Sequence, residues 1–198
     1  MTSGRRSRAQ RGKVIPSENE GLWARSDILP DGNYAVTVSV GSDRIWTLDR
    51  DGAIRYALTL LRAAQEADHD AAVFRALTHA EVPPDAAAHG ISKDLRPDRP
   101  PLDHDATAPL KVEPGVNEAL QPFLKLSLDG KPFGQVGVDG AADHALGVLS
   151  AMLSVDLDAA LHRWLIGTIG LDTPKAKAFV HSLIEHRIEL DVVPSTST

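Results

Sequence analysis

Apolar and polar residues alternate at Val36, Val38 and Val40 against Thr37 and Ser39, and again at Leu124, Leu126 and Leu128 against Lys125 and Ser127. A period of two sends one side of an extended segment into a core and the other toward water, so each stretch predicts a half-buried strand. Turn formers follow each, Gly41-Ser42-Asp43 in the first and Asp129-Gly130 in the second. Asp-Gly between two alternating runs is a strong short-range hairpin signal, and second strands are expected over 45–48 and 133–138. The spacing then becomes helical. Ile54, Ala57, Leu58, Leu61 and Ala64 fall on one helix face, as do Ala142, Ala145, Leu146, Leu149 and Met152. Asp51 and Asp139 stand as the expected N-caps, and a second helix is expected to open at Asp68-His69-Asp70 and at Asp156-Leu157-Asp158, the latter copy stopping at Gly170. Third helices are expected over 85–95, after Pro83-Pro84, and over 175–187, where Thr173 caps and Pro174 takes the first helical position.

The two patterns coincide at a shift of 88 positions: residues 38–77 fall on 126–165 without a gap, and fourteen of the 40 pairs are identical. Ordinary composition gives roughly three or four matches by chance. Asp51/Asp139, Gly52/Gly140, Asp70/Asp158 and Arg75/Arg163 are among the identities. The sequence therefore predicts an α+β protein built from an internally duplicated module of a β-hairpin plus helices, ββααα twice. A hairpin of two strands leaves edges and one face open, so the modules are expected to join about a pseudo-two-fold axis. The expected result is one antiparallel sheet of about four strands covered by helices. The organisation read from the chain is a disordered basic arm over 1–20, a first module over 21–95, a Pro-rich connector over 96–121, a second module over 122–190 and a flexible tail over 191–198.

Composition narrows the function classes. With 42% hydrophobic residues the 198-residue chain has enough apolar material for a core. Its net charge of -6 disfavours a protein that coats DNA. Cysteine is absent, which removes disulfides and thiolate zinc sites and fits a cytoplasmic protein, or one assembled into a virion if phage-encoded. The longest apolar stretch, 164–171, is broken by Gly167, Thr168 and Gly170 and is too short to span a bilayer, so no membrane partner is expected.

Motifs that carry chemistry are missing from the sequence. There is no nucleophile elbow, phosphate loop, dinucleotide fingerprint or HExxH string. Asp49-Arg50-Asp51-Gly52 opens like a calcium loop but lacks the later ligands and the closing Glu. No catalytic residue, metal ligand, cofactor or small-molecule substrate is assigned, and the chain reads as a non-enzymatic binding or assembly protein acting through a protein partner or self-association. The Ala- and Arg-rich, Lys-poor composition fits a bacterial or bacteriophage structural or accessory component. The candidate partner-binding residues are Arg5, Arg6, Arg8, Arg11 and Lys13, a cationic arm suited to an anionic partner, with Trp23 as an aromatic anchor. Two alternatives stand beside this. One is a small metal-dependent hydrolase at the module junction using carboxylates with His144, His162 or His181; the other is a regulator that touches nucleic acid through the arm.

Overall fold

The computed structural model describes residues 22–29, 31–40, 43–102 and 109–191. Among these the fold is α+β, with two antiparallel sheets and four helices. The order is β1 (Leu22–Ile28), β2 (Tyr34–Val40), β3 (Asp43–Leu48), α1 (Arg50–His79), α2 (Pro84–Gly90) with a π-helical turn over Ile91–Leu95, β4 (Leu110–Val116), β5 (Pro122–Leu128), β6 (Lys131–Gly137), α3 (Val138–Gly167) and α4 (Thr173–Asp191). Each of β4, β5, β6 and α3 begins 88 residues after β1, β2, β3 and α1 respectively.

The expected single sheet of about four strands is replaced by two sheets of three, ordered β1-β2-β3 and β4-β5-β6. The extra strand in each is the first one, and neither has a clear pattern. The sequence of β1 is LWARSDI, in which Ser26 and Asp27 are buried, so alternation fails. Strand β4 lies inside the stretch read as connector and carries Pro114-Gly115; it is an edge strand, where a missing N–H is tolerated. The β5–β6 hairpin turns where Asp-Gly predicts, with Asp129 and Gly130 at φ of 50° and 75°, the positive pair that a two-residue hairpin turn demands. Both sheets break register at the same place, between Val38 and Ser39 and between Leu126 and Ser127.

One long helix stands in each half where two short ones were expected. α1 and α3 each run 30 residues, straight through Asp68–Asp70 and Asp156–Asp158. The aspartates that looked like caps are interior residues. Asp49, not Asp51, caps α1 by accepting a hydrogen bond from the Gly52 amide at 2.7 Å, and α3 has no side-chain cap at all. At α4 the cap is Asp172 rather than Thr173, its carboxylate accepting from the Lys175 amide at 2.9 Å. α3 ends at Gly167, and Gly170 turns the chain after it with φ of 79°.

The long helices cover the sheets crosswise. α3 packs chiefly on β1 and β2, α1 chiefly on β4 and β5, and the two helices pack along each other. Buried alanines line the contact, Ala53, Ala57, Ala64 and Ala67 on α1 with Ala141, Ala145 and Ala151 on α3. A single core results, in which Val36, Val38 and Leu60 share one cluster with Val112, Leu124, Leu126 and Val148. A smaller cluster of Leu165, Ala176, Val180 and Ile184 seats α4 on the end of α3.

Crosswise cover has a direct consequence. Fragments 1–103 and 104–198, prepared separately, are expected to show no cooperative thermal transition as monomers, and to recover one when mixed in equal amounts. Two monomeric fragments that each melt cooperatively by circular dichroism would contradict the shared core.

Candidate functional site

No group of three or more His, Asp or Glu side chains that could hold a metal occurs among the described residues. The histidines proposed for a hydrolase are not brought together. His144 and His162 lie 18 residues apart on α3, about 27 Å at the rise of an α-helix, and His181 is exposed on α4. Arg5, Arg6, Arg8, Arg11 and Lys13 lie outside the described residues. Trp23 sits on β1 and is 53% exposed; its neighbours Leu22 and Ala24 pack against the core, so alternation points Trp23 to the opposite side of the sheet.

The buried polar residues do structural work. The Asp70 side chain is fully buried in the middle of α1 and is held by Arg96 at 2.8 Å and by Arg99. Asp158, equally buried in α3, is held by both terminal nitrogens of Arg187. Both aspartates bind an arginine 29 residues further along the chain. These pairs tie the segment after α2 to α1, and α4 to α3. Arg75 and Arg163, the arginines that the 88-residue shift retains beside these aspartates, are not the ones that hold them. A carboxylate inside a helix is tolerated here because a fork of N–H donors meets it where water cannot.

A second buried pair joins the two long helices. Tyr56 Oη lies 3.3 Å from His144 Nε2, between residues 88 positions apart, and Trp46 packs edge-on to Tyr56 with ring centroids 5.3 Å apart. Burial lowers the His144 pKa to about 4, partly opposed by a hydrogen bond to the Leu22 backbone. Burial also pushes the Tyr56 hydroxyl up. At neutral pH this is a pair of uncharged groups sealed in a core, suited to fixing the packing of α1 on α3. At the other end of α3, burial and then the nearby Asp158 charge raise Tyr34 to about 12, and its ring lies 5.7 Å from that of His162.

The surface carries an aligned row of large apolar side chains. Leu146, Leu153, Leu157 and Trp164 on α3 are 60, 58, 68 and 50% exposed. Spaced by seven, four and seven residues, they form one stripe down the helix, on the side away from buried Ala145, Val148, Met152 and Val155. The corresponding positions of α1 are Leu58, Gln65, His69 and Ala76, so the apolar stripe belongs to one helix only. By length and composition α3 also reaches what a bilayer-crossing helix needs, with a mean hydropathy of 1.4 over 18 residues. A search for one uninterrupted apolar run misses this, because Asp156 and Asp158 lie inside the helix. The stripe is nonetheless readable from sequence: shifting by 88 turns Gln65, His69 and Ala76 into Leu153, Leu157 and Trp164.

Compared with protein-family models, with curated proteins and with solved structures, the chain matches none.

The buried pairs generate two expectations. Arg187→Met leaves Asp158 without its guanidinium and should cost about 3 kcal/mol, the low end for breaking a buried pair because Arg187 is about a third exposed. Arg99→Met should cost less, since Arg96 still holds Asp70; equal losses in urea unfolding would count against this reading. His144 carries the pH dependence. Its folded pKa lies below the ordinary 6.5, so its contribution is complete above pH 6.5 and is lost as pH falls toward 4, about 3 kcal/mol in all. His144→Gln should flatten the stability profile over that window, and an unchanged slope would show that the ring is not the source.

Proposed function

We propose that this protein is a non-enzymatic association module whose contact surface is the outer face of α3. One observation carries the reading: four large apolar side chains in a single helical stripe, each at least half exposed, on a helix whose other side is packed in the core. Isolated exposed apolar residues such as Trp23, Leu58 and Phe179 are ordinary, but four aligned along one helix face mark a surface that meets something. Trp164 supplies the aromatic anchor that interfaces favour.

The body that presents this face is proposed to be an internal duplication with pseudo-two-fold symmetry. Support comes from the fourteen identities at a shift of 88, from strands and long helices that begin at the same shift, and from the coincident register breaks. The Tyr56–His144 contact joins two positions that the shift superimposes, as residues close to such an axis would be joined. Arg99 and Arg187, each on its own buried aspartate, extend the correspondence beyond the gap-free match. Under this reading the copies share a scaffold and have diverged outside it. The outer face of α1 carries Gln65, His69 and Ala76 where that of α3 carries Leu153, Leu157 and Trp164. Tyr34 and His162 likewise have Pro122 and Phe74 as their counterparts.

A surface that serves association is either covered in solution or open to an apolar probe. The purified protein should therefore either sediment above its monomer mass of 21.2 kDa or bind an environment-sensitive apolar dye. Leu153→Glu/Leu157→Glu should abolish whichever occurs while leaving the melting temperature within a few degrees. A native monomer that binds no dye, or a doubly substituted protein that behaves like the native one, would refute the assignment.

A further inference from the structure

Resting on the reading that the outer face of α3 is the contact surface, we infer that its occupant is a second copy of the same helix, packed antiparallel. The exposed residues of the face follow a coiled-coil seam, Leu146, Ser150, Leu153, Leu157, Ala160 and Trp164, at alternating steps of four and three. All six are exposed. The seam is also palindromic in size. About position 155, Leu153 and Leu157 are equidistant, as are Ser150 and Ala160, and as are Leu146 and Trp164.

A two-fold contact sets residue i against j and j against i, so a self-complementary surface must read alike from both ends. Antiparallel packing meets that condition. Leu153 of one copy faces Leu157 of the other, the small residues Ser150 and Ala160 face each other and let the backbones approach, and Trp164 covers Leu146 at both ends. The seam is about 27 Å long at 1.5 Å per residue, long enough for three such layers on each side of knobs and holes.

Charge selects the same direction. Asp139 and Asp143 lie at the start of α3 and Arg163 near its end. In the antiparallel arrangement the acidic start of each copy lies alongside the end of the other that carries Arg163. A parallel arrangement would place both acidic ends together and align the helix dipoles side by side. Asp156, the one carboxylate beside the proposed axis, is already paired with Arg50 at 3.4 Å.

The absence of cysteine makes the test clean. Ser150→Cys and Ala160→Cys are prepared singly in the full chain, checked for unchanged melting, and oxidised alone and as a mixture. A covalent dimer that accumulates in the mixture and in neither protein alone, with native protein sedimenting at twice 21.2 kDa, is the expected result. Cross-linking of each protein with itself and not in mixed pairs would establish a parallel contact and overturn the inference. A native monomer that uses Leu153 and Leu157 to float with phosphatidylcholine vesicles or to bind apolar dye would also overturn it, while leaving the contact surface intact. If substitution of those leucines alters none of these readouts, both readings fall together.

Discussion

Neither sheet is covered chiefly by the helix that follows it in the chain. α3 lies on β1 and β2, and α1 lies on β4 and β5. Each half therefore supplies the cover that the other requires, and the rest of the architecture follows from this exchange. A three-stranded sheet of six- and seven-residue strands has one face to bury, and a single amphipathic helix from the same half would cover it without a second helix to pack along. Crossing the helices buries two sheet faces and two helix faces in one operation. Fully buried Leu60, Val36, Val38 and Val148 meet Leu110, Val112, Leu124 and Leu126 in one cluster. At about 1.5–3 kcal/mol per buried aliphatic side chain, this shared core outweighs any single polar contact in the molecule.

The buried polar groups take their meaning from that core. Tyr56 and His144 meet where α1 and α3 cross, and a hydrogen bond there is satisfied only if the two helices keep one relative placement. The Asp70 and Asp158 pairs act further out, holding the segment after α2 and the helix α4 against the long helices. Such pairs fix geometry more than they add stability, because the cost of removing both charges from water offsets much of their attraction.

Much of the secondary structure was readable from the residues. Strand β5 alternates as read, and Asp129-Gly130 marks its turn; β2 forms where its alternation predicts, but Ala35 and Thr37 are buried along with Val36 and Val38, so the expected water-facing side is covered as well. Strands β1 and β4 were not readable, the first because Ser26 and Asp27 are buried by tertiary contacts, the second because Pro114 is tolerated only at an edge that the sequence does not reveal. The long helices were cut in two at Asp68–Asp70 and Asp156–Asp158 because an aspartate in a chain ordinarily signals a helix start. Only the fold brings Arg99 and Arg187 to those carboxylates. The exposed stripe of α3 lay within reach of the same shift that relates the halves, and it emerges once the replaced positions, rather than the retained ones, are followed along the helix.

The outer face of α3 is thus a property of a helix whose inner face is already committed. The helix cannot turn its leucines inward without surrendering Ala145, Val148 and Met152, so the apolar stripe stays outside whatever meets it. Native-state hydrogen exchange tests the shared core on which this depends. If the halves form one cooperative unit, the slowest amides of β2, β5, α1 and α3 will exchange with one common free energy of opening. Two distinct values, one for each half, would contradict the account.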